Sequence, residues 1–242
     1  MKHICQIKPL LITIDSPLAL STGFRRGLIH RTVERDAEGF AYIPASSLKG
    51  RVRYACEQIA RQIGLRVCRA PRPGGMCSAH TNPCLVCRVF GSPGRGSALR
   101  WQDACLTQAY KKIFADEITR RAHFYTRTQV QLSRAFGVAA PDHLFTGELT
   151  IENLTFESAI TGWLDVTPIA GDDRNGGYEL LLLLAGLRLV NTLGGGNSRG
   201  SGHCVIHLPD QVVVGQHSIQ IQDVFALMSL LSEFDKEARD GA

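Results

Sequence analysis

The chain has 242 residues, 44% of them apolar, with 27 Lys and Arg against 22 Asp and Glu and a net charge of +5. That length allows one large or two small globular domains, and the longest apolar run, Leu180 to Leu187, is far too short to span a bilayer. Met1 to Leu20 carries charges and proline where a secretory leader has its apolar stretch, so a cytoplasmic protein is expected, in which eight cysteines argue for metal and against a disulfide framework.

Ile4 to Ile14, apolar and β-branched, predicts a first strand. Ser16 to Tyr42 follows as a long polar loop rich in Arg and Gly, and loops of that length are usually functional. Ser46 or Ser47 is expected to cap a helix in which Leu48, Val52, Ala55, Ile59 and Ile63 form one buried stripe, with Lys49, Arg51 and Arg53 off it. A helix N-terminus attracts anions, and these bases would strengthen that. Cys68 to Cys87 is an insertion rich in Cys, Pro and Gly. Beyond it the pattern predicts a strand at Leu99–Leu106, a protruding hairpin over Ala122–Gly147 and a long strand at Thr150–Asp165. Then come a helix at Gly177–Val190, a strand at Cys204–Leu208 and an amphipathic helix at about Ile221–Phe234. Strand, helix, two strands, helix, strand is the α+β plan of an RRM or ferredoxin-like domain. One such domain is expected over residues 1–242, with insertions at about 66–92 and 122–148.

Three features carry chemistry. Leu193 to Cys204 reads LGGGNSRGSGHC, and its glycines leave a bare backbone whose N–H groups could converge on phosphates. Gly194, Gly195, Gly196, Ser198, Arg199 and Gly200 are its candidate contacts, Arg199 supplying a guanidinium for paired phosphate bonds. The other arginines recur at Arg25, Arg26, Arg31, Arg35, Arg51 and Arg53 and again at Arg120, Arg121, Arg127 and Arg134, near turn-like segments, which favours nucleic acid over a merely solvated surface. Cys68, Cys77, Cys84 and Cys87 have the spacing C-x8-C-x6-C-x2-C. Four thiolates would fill a tetrahedral zinc site of structural type, and His80 is an alternative ligand to Cys77. An insertion with so few large apolar residues needs such a staple to fold.

The segment Tyr42-Ile-Pro-Ala-Ser46-Ser47-Leu-Lys49-Gly-Arg51-Val-Arg53 and the glycine loop together resemble the RAMP superfamily, most closely the backbone subunits of type III CRISPR effector complexes. The likeness extends to Cys87–Ser92, Thr126–Thr128 and Ser133–Gly137, in the same order along the chain. It implies an RRM-like palm that holds a CRISPR guide RNA through the Ser46–Ser47–Leu48–Lys49–Gly50 helix start and the glycine loop. It further implies target RNA as a ligand, and a large polymerase-like subunit, a small subunit and other RAMP subunits as partners. A thumb-like hairpin would part the guide–target duplex, with Leu144 and Phe145 as wedge candidates, although both could equally be small-core residues.

The resemblance leaves enzymatic activity open. Slicing members use an Asp in the loop after the first strand for Mg²⁺-dependent cleavage of target RNA. Counting back from the Ser46–Gly50 motif places His30 at that position, and Asp36 lies six residues on. His30 could act as an acid or base, and Asp36 could reach a scissile phosphate. A turn role for Asp36 and a phosphate contact for His30 are the alternatives. A guide-processing endonuclease is a third possibility, disfavoured by the Ser46–Gly50 motif.

Overall fold

The computed structural model describes residues 2–21, 23–78, 82–171 and 176–235. The elements in order are β1 (Lys2–Ile14), β2 (Tyr42–Ile43), α1 (Ala45–Gln62), α2 (Leu85–Phe90), β3 (Leu99–Trp101), β4 (Ala104–Leu106), α3 (Gln108–Ile113) and α4 (Glu117–Ala122). They continue as β5 (Phe124–Leu132), β6 (Ala139–Thr150), β7 (Leu154–Asp165), α5 (Gly177–Leu189), β8 (Cys204–His207), β9 (Gln211–Val214), β10 (His217–Gln220) and α6 (Ile221–Ala226). An eight-stranded sheet runs in the order β10-β9-β1-β7-β4-β2, with β3 also on β7 and β8 also on β1. Taking β8, β1, β7 and the β3–β4 pair as four strands gives the ferredoxin-like order 4-1-3-2. The hairpin β5–β6 forms a sheet of its own.

Alternation explains the centre of the sheet. Cys5, Ile7, Leu10, Ile12 and Ile14 of β1 are buried, and the step from odd to even numbers falls at Lys8–Pro9, where the register with β7 shifts. The helix α1 lays Leu48, Val52, Ala55, Cys56 and Ala60 against α5 and the sheet. Every residue of α5 from Gly177 to Leu187 is buried, so its leucine run has no polar face. The two helices approach closely at Gly186, where an added methyl would land on the sulfur of Cys56.

One ion pair pins α2 to the start of α5. The fully buried Glu179 carboxylate accepts from Arg88 (2.6 Å) and from the backbone N–H and hydroxyl of Thr167 (both 2.8 Å). Removing one partner of a buried pair strands the other, at a cost of about 3–5 kcal/mol. Glu179→Ala is therefore expected to lower unfolding free energy by about 3 kcal/mol in a urea titration.

The structure corrects several expectations. Neither Ser46 nor Ser47 caps α1: Pro44 holds the cap position, and the Asp103 carboxylate receives the Ala45 N–H at 2.7 Å. Supplying Asp103 breaks the expected Leu99–Leu106 strand in two, with Gln102 tied to β7 through Ala159 O (3.0 Å) and the Ser158 hydroxyl (2.8 Å). Ile63 lies past the end of α1 and is exposed. Thr150 ends β6, and β7 begins only at Leu154, after a turn through Asn153 in the left-handed region. The pattern gave no sign of α3, α4 or the β9–β10 hairpin, and the final helix stops at Ala226, followed by a 3-10 turn at Met228–Glu233.

Candidate nucleic-acid interface

A groove of about 860 Å³ opens between α1, the glycine loop, the hairpin root and the loop after β1. Ser46, Ser47, Gly50, Arg51 and Tyr54 line it from one face of α1, at helical spacing. Gly194, Gly195, Gly196, Arg199 and Ser201 line it from the glycine loop, and Arg127, Gln129, Phe145 and Glu148 from the hairpin. Arg31 and Glu34 face it from the long loop, so four arginines meet two glutamates. Arg127 and Arg199 are exposed; Arg51 is half-buried, donating to the carbonyl (3.0 Å) and hydroxyl of Thr192, with its guanidinium 5.6 Å above the Tyr54 ring.

The candidate residues do not all meet there. Lys49 and Arg53 do not line the groove. Burial and the neighbouring Arg53 hold the Lys49 ammonium below its ordinary pKa. Arg53 donates to Glu57 (3.1 Å), to Gly91 O (3.0 Å) and to the sulfur of Cys87 (3.6 Å). Arg25 and Arg26 are exposed on a tight loop closed by the Arg26–Ile29 bridge, and Arg134 is exposed at the hairpin tip. Ser198 and Gly200 are exposed in the glycine loop, outside the groove wall.

The glycine loop is a clamp more than a nest of free amides. Gly195 N–H donates to Ala19 O (2.9 Å) and Gly202 N–H to Pro17 O (2.8 Å), which fastens the loop to the exit of β1. The N–H groups of Arg199, Gly200 and Ser201 bond carbonyls of the loop itself. The exposed Arg199 side chain is placed to meet an anion.

Loop residues 29–35 run along the root of the hairpin. His30 N–H donates to Thr146 O (2.8 Å), and His30 Nδ1 accepts the Thr146 N–H (3.1 Å). With Nδ1 filled as an acceptor, the neutral ring carries its proton on Nε2 and has no lone pair there for a base to use. Asp36 is a turn residue: Oδ1 accepts the N–H groups of Glu38 (3.0 Å) and Phe40 (2.9 Å), and Lys111 lies 3.7 Å from Oδ2. Neither residue lines the groove. Glu148 binds the loop from β6, accepting Val33 N–H (2.9 Å) and pairing with Arg35 (2.5 Å). Beneath them the fully buried His123 lies against Phe124 (3.8 Å) and Phe114 (4.9 Å), and its Nε2 accepts Ala41 N–H (3.3 Å). Burial pushes its pKa down to about 4, so the ring stays neutral.

The wedge candidates point to opposite sides. Phe145 faces the groove, with Arg31 6.0 Å above its ring, whereas Leu144 is exposed beside its cross-strand partner Val130. Neither sits in a small core.

The four cysteines converge as their spacing predicts. The sulfurs of Cys68, Cys77, Cys84 and Cys87 lie within 4.8 Å of one another, with Cys68–Cys87 at 3.3 Å and Cys68–Cys84 at 3.8 Å. Zinc–sulfur bonds of about 2.3 Å require tetrahedral edges near 3.8 Å, so the arrangement fits a metal ion. The thiol hydrogen bond between Cys84 and Cys87 pulls the Cys84 pKa down and pushes that of Cys87 up, so the two sulfurs share one proton. His80 lies outside the described residues. The insertion is less bare than expected, because α2 carries Leu85, Val86, Cys87, Val89 and Phe90 into the core. Among the described residues no helix is long and apolar enough to cross a membrane.

A family model for the RAMP superfamily matches residues 11–205. The chain belongs to the RAMP superfamily. A chain in the cryo-EM structure of the Type III-B Cmr-beta bound to cognate target RNA is similar over 86% of this chain and 97% of its own, at 13% identity and a TM-score of 0.56. In the apo state of Cmr-beta a similar chain covers 84% and 96%, at 14% identity and a TM-score of 0.57. At such identities the likeness is one of fold. No curated protein matches the sequence. The RAMP palm in this chain is the eight-stranded sheet with α1 and α5, and the β5–β6 hairpin projects from it.

Glu34, Tyr54 and Gln129 are groove residues that the sequence pattern did not single out. Tyr54 was within reach of it, since it continues the Ser46–Ser47–Gly50–Arg51 face by one helical turn. The others depend on how the long loop and the hairpin meet.

Proposed function

We propose that this RAMP protein is a guide-RNA-binding backbone subunit of a type III CRISPR effector complex. It holds the guide's phosphates in the groove and presents target RNA beside the hairpin. The observation that carries the reading is the convergence of Arg51, Arg127 and Arg199 on one groove from three separate parts of the chain. Arginine forks suit phosphate oxygens, and the Tyr54 and Phe145 rings suit bases. Zinc in the cysteine cluster, held by Cys68, Cys77, Cys84 and Cys87, would be structural, with Arg53 offsetting the charge of the thiolates. Partners by this reading are guide and target RNA, other RAMP subunits, and the large and small subunits of the complex. Target cleavage with Mg²⁺ from this subunit is the weaker reading, because neither His30 nor Asp36 lines the groove.

Arg127→Ala combined with Arg199→Ala is expected to weaken RNA binding in fluorescence anisotropy. The plot of log K against log salt should become shallower by about 1.4, two phosphate contacts at roughly 0.7 each. Lys49→Ala, outside the groove wall, should stay near wild type. Unchanged affinity and slope in the double variant would remove the groove from the binding site.

A further inference from the structure

The groove holds a carboxylate where a phosphate cradle has no use for one. Glu34 and Glu148 are the two acidic side chains among its described lining residues. Both oxygens of Glu148 are occupied, by the Val33 N–H and by Arg35. Glu34 differs. Among the described residues its carboxylate has a single hydrogen-bond partner, the Tyr42 hydroxyl at 3.5 Å from Oε2, and Tyr42 lines the same groove. A bare carboxylate repels phosphate oxygens, so its natural partner on a polynucleotide is a donor. A duplexed or stacked ribonucleotide offers one such group on its backbone side, the ribose 2′-hydroxyl, which DNA lacks.

We propose that Glu34, with Tyr42 beside it, accepts the 2′-hydroxyl of a ribose in the groove and so selects RNA over DNA. The inference rests on the groove being a nucleic-acid site, and adds which sugar it takes. The pair suits a hydroxyl: Tyr42 holds one Glu34 oxygen, and the free oxygen accepts the hydroxyl proton. A divalent cation fits less well. Magnesium prefers near-octahedral oxygen ligation, whereas here one free carboxylate shares its groove with four arginines, Arg31, Arg51, Arg127 and Arg199, whose charge disfavours a cation. Selection works in both directions: the carboxylate rewards a hydroxyl donor and penalises a deoxyribose, which brings phosphate charge with nothing to offset it.

The test measures affinity of the full chain for one sequence made as RNA, DNA and 2′-O-methyl RNA, using wild type, Glu34→Ala and Glu34→Gln. Wild type should prefer RNA over DNA by about ten-fold, the scale of one hydrogen bond to a charged group. The 2′-O-methyl strand, which has no donor, should bind no better than DNA. Glu34→Ala should bind RNA more weakly and DNA more tightly, collapsing the preference to within about two-fold. Glu34→Gln, whose amide oxygen still accepts, should keep part of it. A ratio unchanged in Glu34→Ala, or equal binding of RNA and DNA by wild type, would overturn the assignment while leaving the groove a nucleic-acid site. Binding of neither polymer would sink the proposed function itself. A Mg²⁺-dependent cut lost in Glu34→Gln would replace the ribose with a cation.

Discussion

If zinc fills the cysteine cluster as proposed, removing it with a strong chelator is expected to lower the melting temperature by more than about 10 °C, as is replacing Cys84 or Cys87 with serine. Structural zinc in small cysteine sites is worth apparent free energies of about 10–16 kcal/mol, and for a chain of this size each kcal/mol moves the midpoint by about 2–4 °C. The large effect follows from where the cluster sits. Cys87 lies within α2, whose Leu85, Val86, Val89 and Phe90 belong to the main core and whose Arg88 holds Glu179 of α5. Without such an ion four thiols would be crowded within 4.8 Å, and the Arg53 guanidinium would face uncharged sulfur. Damage should therefore spread from the insertion to the α2–α5 contact. Elemental analysis is expected to give one zinc per chain for wild type and Cys105→Ser, whose thiol is exposed and outside the cluster, and none for Cys84→Ser. Full stability after metal removal would show that the core alone holds α2.

The second large effect is expected at Gly202. Its φ of +75° is in the left-handed region, and an added Cβ would fall on the carbonyl oxygen of Leu193. That carbonyl belongs to the residue whose own N–H donates to Gly202 O at 2.7 Å, so the two backbones cannot separate without opening the loop. Strain in the left-handed region costs about 1–2 kcal/mol and overpacking about 1–3 kcal/mol more. Gly202→Ala should thus lose roughly 2–5 kcal/mol, a large part of an ordinary stability. Gly200→Ala separates the two causes, since its φ is +77° but nothing lies within 4 Å of the new methyl. It should lose only the strain, about 1–2 kcal/mol. Equal losses at the two positions, measured by urea denaturation, would mean that the close approach at Leu193 is unimportant.

The parts of the fold that could be read from sequence are those where one physical signal dominates. The β1 pattern, the Leu48–Val52–Ala55 stripe and the leucine run of α5 each follow from burial, and the cysteine spacing follows from metal geometry. The failures have a different origin. Asp103 caps α1 from 58 residues away, so the local Ser46–Ser47 signal misled. Arg53 looked like a groove residue because it is basic and near the helix start, yet Gly91, at the end of α2, and Cys87, within it, take its guanidinium. Glycine spacing suggested a cradle of free amides, but the exit of β1 takes two of them. In each case a long-range partner, invisible to local pattern, won over a sound local preference.

The register of β1 bears on how this protein is made. Ile14 pairs with Leu154, 140 residues later, and Lys2 with Asp165. On its other side β1 pairs with β8 and β9, which lie farther along still. At about 5–20 residues per second, a nascent β1 leaves the ribosome on the order of ten seconds before its first partner is synthesised. For that interval an apolar thirteen-residue strand has two unsatisfied edges, the kind of segment that recruits chaperones or pairs with a neighbouring nascent chain. Cellular yield should thus be governed by the tempo of translation and by what shelters β1 during it, more than by the final stability of the palm.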